Sequence, residues 1–91
     1  MIEVIHDIEK QKFYAVIDDL ESHLEYVKVN NVLNLIHTYV PNALRGKGIA
    51  SKIVKVALTY AEENNLKIIP SCSYVAAYIQ RHKEYEELLV L

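Results

Sequence analysis

Within residues 2–40, short segments that alternate with a period of two, or that are rich in β-branched and aromatic residues, predict β-strands. The predicted strands are IEVIHD (2–7), KFYAVIDD (12–19), HLEYVKV (23–29) and VLNLIHTYV (32–40). Asn30 and Asn31 separate the last two strands, and this pair indicates a hairpin because asparagine tolerates positive φ. The spacing of the four strands predicts an antiparallel meander.

After Pro41 the hydrophobic period changes from two residues to that of a helix. The apolar positions that show this period are Ile49, Ile53, Val56, Ala57 and Tyr60. They predict an amphipathic helix over about residues 47–63, which ends at the asparagine pair 64–65.

The last third of the chain predicts one more strand and one more helix. LKIIPSC (66–72) is typical of a short strand, and SYVAAYIQRH (73–82) is typical of a helix with Ser73 as its N-cap. The tail YEELLVL (85–91) fits either a helix end or an edge strand. The predicted fold class is therefore α/β (α+β): a four-stranded antiparallel meander followed by helix, strand and helix.

Composition and charge narrow the classes of function. A chain of 91 residues predicts a single domain over residues 1–91. The net charge of −2 argues against broad nucleic-acid binding, and lysines interrupt every apolar stretch before it reaches membrane-spanning length. The one cysteine excludes an internal disulfide, and the N-terminus does not resemble a signal peptide. We expect a cytoplasmic protein that is a monomer or a weak dimer.

Both glycines of the chain lie two residues apart at the predicted strand-to-helix turn. Gly46 and Gly48 allow unusual φ values and a close approach to the backbone. The first N–H groups of a helix have no internal partner and attract anions. Arg45 and Lys47 add positive charge and Ser51 adds a hydroxyl, so the turn is interpreted as a phosphate or pyrophosphate cradle.

Several phosphate-binding motifs do not match this turn. Pro41 replaces the first glycine of a P-loop, and Ser51 replaces the third glycine of a dinucleotide-binding fingerprint. The pattern that fits has Arg45, Gly48 and Ala50 at the spacing Arg-x-x-Gly-x-Ala. It resembles the acetyl-CoA pyrophosphate loop of the GNAT N-acetyltransferase superfamily. A glycine-assisted helix start without a ligand is the alternative.

Two longer segments extend the resemblance from the superfamily to one of its subgroups. VPNALRGKGIAS (40–51) and PSCSYVAAYIQRHKEY (70–85) together resemble the short, single-domain YjdJ-like subgroup of GNAT proteins. The likeness extends over essentially the whole chain and implies a minimal GNAT fold. One departure is Lys83, which stands where the subgroup usually has proline.

The resemblance implies acetyl-CoA as the cofactor and assigns residues to its parts. The backbone groups expected to pair with the pantetheine amides belong to Thr38, Tyr39 and Val40. The amides expected to hold the pyrophosphate belong to Gly46, Lys47, Gly48, Ile49 and Ala50. Ser51 would add a hydroxyl bond, and Arg45 and Lys47 would neutralise phosphate charge. An N–H group near the fourth strand would polarise the thioester carbonyl.

Three residues are candidates for the chemistry of acetyl transfer to an amine. Cys72 follows the fifth strand, where it would act as an acid, as an acyl acceptor, or only as a small buried residue. Tyr78 lies on the second helix, where larger GNAT enzymes use a tyrosine as the acid, but it is offset from that place by two residues. His37 would act as the base if it faces the cleft, and otherwise is structural.

The leading functional hypothesis is an acetyl-CoA-dependent N-acyltransferase. The acceptor elements of larger GNAT enzymes are missing, so the acceptor site is expected to be open and to suit a protein or peptide amine. The alternative is a non-catalytic acyl-CoA-binding module or adaptor. A phosphate-anchored nucleotide or nucleic-acid binder is a third hypothesis, which the acidic net charge disfavours. The other three histidines show no metal-ligand spacing with one another or with Cys72, so no metal is predicted.

Overall fold

The computed structural model describes residues 2–90 and contains one sheet and two α-helices. The strands are β1 (Ile5–Asp7), β2 (Lys12–Ile17), β3 (Leu20–Val29), β4 (Val32–Tyr39) and β5 (Lys67–Ile69). The helices are α1 (Ile49–Glu63) and α2 (Ser73–Arg81), and short 3₁₀ helices span Asn42–Leu44 and Lys83–Leu88. The order of strands and helices confirms the predicted fold class.

The five strands lie in the sheet in the order of the chain. β1 to β4 pair antiparallel, which confirms the predicted meander. Asn30 has a φ of 54°, as the predicted hairpin requires, and a second hairpin has Asp18 and Asp19 at φ values of 53° and 62°. Short polar residues fit these turns because asparagine and aspartate tolerate the left-handed region better than other side chains.

The sheet has an inner face, which packs against α1, and an outer face. Phe13, Leu24 and Leu35 lie on the inner face and are fully buried. The outer face carries exposed apolar side chains, with Val16 57% and Val29 62% exposed. Alternation along each strand produces this contrast, because successive side chains point to opposite faces.

Gly48 is the N-cap of helix α1, and Asn64 is its C-cap. The predicted stripe is largely correct, since Ile49, Ile53 and Ala57 are buried. The helix buries a wider surface than the predicted apolar positions cover. Val54, Leu58 and Ala61 are buried as well. The reason is that α1 contacts α2 and the C-terminal 3₁₀ helix in addition to the sheet. No helix within residues 2–90 is both long and apolar enough to cross a membrane.

Strands β4 and β5 pair in parallel over only three residues, Val32–Asn34 with Lys67–Ile69. Just after β5, the Cys72 N–H donates to the Leu35 carbonyl oxygen at 2.9 Å, and the Ser71 Oγ donates to the Asn34 Oδ1 at 2.6 Å. β5 then ends near Pro70, while β4 continues to Tyr39. The second half of β4, residues 36–39, therefore borders a gap on the side away from β3.

A β-bulge in β4 determines which face each side chain near this gap occupies. Tyr26 pairs with Leu35 and Glu25 pairs with His37, so Ile36 has no partner on β3. The extra residue reverses the alternation, because one added residue shifts every later side chain to the other face. Thr38, which pairs with buried Leu24, therefore follows Leu35 on the inner face.

Some predicted boundaries need correction. The prediction of Ser73 as the N-cap of α2 is wrong: Cys72 is the N-cap and Ser73 is the first helical residue. β1 begins at Ile5, later than predicted, because residues 2–4 do not join the sheet. The tail combines both alternatives, since a 3₁₀ helix over Lys83–Leu88 is followed by an isolated bridge from Leu89 to Ile68. The last residue of that prediction lies outside the described residues.

Candidate active site

The glycine-rich turn forms an open loop between β4 and α1. Gly46 and Gly48 have φ values of 81° and 76°, which favour glycine over residues with a Cβ. A Cβ added at either position would meet no atom of the protein within 4 Å. The glycines are therefore required by backbone conformation, and the space beside them is open.

A concavity of about 250 Å³ lies against this loop. Seven of its lining residues come from the set predicted to bind the cofactor: Val40, Arg45, Gly46, Gly48, Ile49, Ala50 and Ser51. Lys47 is exposed but does not line the concavity, and Thr38 and Tyr39 lie further back on β4. The loop and the end of β4 are thus neighbours, as the predicted cofactor path requires.

The loop is tied to the end of β4 and leads into the first turn of α1. Arg45 donates a hydrogen bond from Nε to the carbonyl oxygen of Val40 at 3.1 Å. The first backbone bond of α1 runs from the Lys52 N–H to the Gly48 carbonyl oxygen at 3.1 Å. The N–H groups before Lys52 have no acceptor within the helix, which makes this end of α1 attractive to an anion.

Cys72 lies across the gap from Thr38, at the N-terminus of α2. Its Sγ is 3.3 Å from the Thr38 Oγ1. Burial alone would raise the pKa of the Cys72 thiol, but the Thr38 hydroxyl and the nearby N–H groups of Val75 and Tyr74 together outweigh burial. The pKa of Cys72 therefore lies below the ordinary value for a thiol, which favours the reactive thiolate.

This arrangement predicts that Thr38→Val raises the pKa of Cys72, because valine keeps the shape but donates no hydrogen bond to the thiolate. The pH dependence of thiolate absorbance, measured on the only cysteine of the chain, tests this prediction. Thr59→Val is the matched control, since Thr59 lies on α1. Equal pKa values in the two variants would contradict the role of Thr38.

The same shift predicts the direction of a pH effect on stability. Because folding lowers the pKa of Cys72, the folded state binds fewer protons than the unfolded chain between the two pKa values. The contribution of Cys72 to the free energy of unfolding is complete above the pKa of the thiol in the unfolded chain. It is lost as the pH falls through the pKa of the thiol in the folded protein. Thr38→Val should reduce this contribution in the same window.

Tyr78 is nearly buried, with 7% of its surface exposed. Burial, and then the neighbouring Tyr85 phenol, raises the pKa of Tyr78, while a hydrogen bond with Ser51 opposes the shift. Its ring stacks on His82 at a centroid distance of 4.0 Å, and the His82 Nδ1–H donates to the Tyr78 carbonyl oxygen at 2.8 Å. Tyr78 thus lies in the core between α2 and the first turn of α1, close to Ser51.

His37 lies on the outer face of the sheet, away from Cys72. It pairs with Glu25, and directly opposed residues share a face. Because Glu25 lies between buried Leu24 and buried Tyr26, both paired side chains point outward. The structure brings Cys72 to inner-face Thr38 at the gap, buries Tyr78 in the core and leaves His37 on the outer face.

Sequence analysis missed two residues that line the concavity and one side-chain role. Leu44 is buried beneath the loop, and Tyr74 projects from the first turn of α2 with 39% of its surface exposed. The Thr38 hydroxyl was not predicted to reach Cys72, because only its backbone was assigned. The signal for Tyr74 was its place two residues after Cys72, within the second motif.

Comparison with known proteins identifies the family of this chain. The sequence pattern of GCN5-related N-acetyl-transferases matches residues 12–88. Protein NATD1 of Gallus gallus and protein NATD1 of Homo sapiens are each 33% identical to this chain over 85 residues, which is 89% of this chain. The aligned part is 76% of the Gallus gallus protein and 74% of the Homo sapiens protein. A Staphylococcus aureus protein described as GCN5-like, solved by NMR, has a TM-score of 0.76 at 33% identity and covers 97% of this chain and 87% of its own. Taken with the fold and the loop, these matches show that the chain belongs to the GCN5-related N-acetyltransferase family.

Proposed function

We propose that this protein transfers an acetyl group from acetyl-CoA to an amine. The observation that carries the proposal is the continuity of one path. It runs from the glycine loop at α1, along the unpaired edge of β4, to Cys72 at the start of α2. The loop would bind the pyrophosphate, the β4 edge would bind the pantetheine arm, and Cys72 would lie near the thioester.

The loop fits a pyrophosphate in shape and in charge. The open space beside Gly46 and Gly48 would admit phosphate oxygens close to the backbone. The amides from Gly46 to Ala50 would donate to them, with the Ser51 hydroxyl as a further donor. Arg45 and Lys47 would neutralise the charge, and the bond from Arg45 to Val40 keeps the loop at the end of β4.

The gap between β4 and β5 fits the pantetheine arm. Beyond Leu35, β4 has no strand beside it on the β5 side within the described residues, so its backbone there is free to pair with a ligand. The backbone groups of Thr38, Tyr39 and Val40 would meet the two pantetheine amides as a neighbouring strand does. The amide at the Ile36 bulge is the proposed donor to the thioester carbonyl oxygen.

Bound acetyl-CoA would supply an activated acetyl thioester at the end of this path. Transfer requires a base to remove a proton from the acceptor ammonium and an acid to protonate the departing thiolate. His37 would serve as the base for an amine that approaches from the outer face. Cys72 or Tyr78 would serve as the acid from the inner side.

Cys72 has a second proposed role, as the residue that accepts the acetyl group. Its lowered pKa supports this role, because the thiolate is the nucleophile. The Cys72 sulfur would form a bond to the acetyl carbon while the bond from that carbon to the CoA sulfur breaks. The acceptor amine would then displace the Cys72 thiolate, so that the overall reaction is unchanged.

The outer face of the sheet, from which the acceptor amine would approach, suits a large substrate better than a small one. Residues 8–11 alone connect β1 to β2, so no helix between these strands covers the outer face. Apolar side chains such as Val16 and Val27 are exposed there. A protein or peptide amine would obtain contacts on this open face that a small molecule could not.

A non-catalytic acyl-CoA-binding module is the second candidate function. The near-complete burial of Tyr78 favours it, because a phenol with 7% exposure is poorly placed to protonate a leaving group. The same cofactor path would then serve binding alone, and the two functions differ only in turnover.

Turnover is tested by incubating the protein with acetyl-CoA and peptides that carry a free α-amine or a lysine. We expect thiol release that depends on the peptide, together with a peptide heavier by one acetyl group. The control is the same peptide with its amines blocked. Saturable acetyl-CoA binding by calorimetry without any acetylated product would favour the binding module, and absence of binding would refute both functions.

A further inference from the structure

Two histidines and one glutamate converge on the outer face of the sheet. His23 and Glu25 are two residues apart on β3, and His37 lies directly opposite Glu25 on β4. One ligand atom from each of the three residues lies within 4.8 Å of the others. The β4 bulge creates this group, because it turns His37 to the outer face.

The hydrogen bonds and ion pairs around the cluster leave one atom of each residue available to bind a cation. Glu21 Oε2 is 3.1 Å from His23 Nδ1, and because a carboxylate only accepts, Nδ1 must donate. The remaining lone pair of neutral His23 is then on Nε2. Lys12, which lies opposite Glu25 on β2, directs its ammonium group to Glu21 Oε2 at 2.8 Å. No ion pair of Glu25 occurs within residues 2–90.

We propose that His23, Glu25 and His37 bind a divalent transition-metal cation such as Zn²⁺. Two imidazoles and one carboxylate are a ligand set that suits zinc and related cations, whereas Mg²⁺ prefers oxygen ligands only. The bond from His23 to Glu21 resembles the carboxylate–histidine–metal arrangement that orients a ligand histidine. His37 is exposed, so water can complete the coordination.

The position of the site has a consequence that rests on the proposed function. A cation bound by His37 would occupy the lone pair that a base needs, so Zn²⁺ should inhibit acetyl transfer. Metal binding itself does not depend on acetyl transfer. It can be measured directly, so failure of the metal site and failure of the transferase function are distinguishable.

The test uses the tag-free chain, freed of metal by dialysis against a chelator, and titrates it with Co²⁺. We expect saturable binding of one cation per chain, with visible absorption bands of a four- or five-coordinate Co²⁺ ion. Zn²⁺ should displace Co²⁺, and excess Mg²⁺ should not.

Variants assign the binding to the cluster. His23→Ala, His37→Ala and Glu25→Gln should each weaken Co²⁺ binding by at least about tenfold, and Glu21→Gln by about tenfold through the orientation of His23. The matched controls are Glu62→Gln on the exposed side of α1 and His82→Gln at the end of α2, which should bind as the wild type does. Circular dichroism would confirm that each variant is folded.

Two outcomes would overturn the proposal. The first is the absence of saturable Co²⁺ binding to the folded wild-type chain, which would make the cluster a hydrogen-bonded group without a metal. The second is binding that survives in all three ligand variants, which would place the cation elsewhere.

Discussion

Gly48→Asp is expected to weaken acetyl-CoA binding by about a hundredfold or more. The new carboxylate would enter the open space beside the loop, where the phosphates are proposed to lie. A charge about 5 Å from one phosphate charge costs roughly 3 kcal/mol at an effective dielectric constant of about 20, which corresponds to about a hundredfold in affinity. Calorimetric titration of the variant and the wild type measures this loss.

Gly48→Asn is the matched control for this variant. Asparagine has nearly the same size as aspartate and tolerates the same positive φ of 76°, so both variants carry similar backbone strain. The ratio of their dissociation constants therefore isolates the effect of charge. Equal affinity of the two variants, with both folded, would contradict a phosphate at this loop.

Cys72→Ala is expected to reduce acetyl transfer by about a hundredfold or more, which is the usual contribution of a positioned acid or nucleophile. Acetyl-CoA binding should be nearly unchanged, because the proposed cofactor contacts come from the loop and the β4 backbone. Peptide acetylation measures the first effect and calorimetry the second. A loss in turnover without a loss in binding would identify an interaction made during the reaction.

The control for Cys72 is Ser73→Ala, an exposed neighbour on the same turn of α2 that should transfer acetyl groups as the wild type does. Mass spectrometry of the wild type after a brief exposure to acetyl-CoA separates the two roles of Cys72. An acetyl group on Cys72 would support the acyl acceptor, and its absence would support the acid. Full activity of Cys72→Ala would show that the thiol is a packing residue only.

Together the two variants separate the candidate functions. Gly48→Asp tests whether the loop holds the cofactor, which both the transferase and the binding module require. Cys72→Ala tests only the chemistry. A protein that loses binding in the first variant but shows no turnover in the wild type would be an acyl-CoA-binding module.

Most of the fold could be predicted from local pattern. The alternating segments predicted the strands in which Phe13, Ala15 and Leu24 are buried, because a strand with one buried face must place apolar residues at every second position. Helical spacing identified α1 to within two residues at its start. The α2 N-cap was wrong because a serine before a helix and a serine inside its first turn look alike in sequence.

The sequence by itself determined the meander, the two helices and the loop with its two glycines, since each depends on residues close together in the chain. Only the tertiary structure decided which side chains meet at the gap. Strict alternation from Leu33 and Leu35 would place His37 on the inner face and Thr38 on the outer face. The bulge at Ile36 reverses both, so Thr38 contacts Cys72 and His37 joins His23 and Glu25. A bulge depends on how β4 pairs with β3, and that pairing is a property of two strands, which the pattern of one strand does not contain.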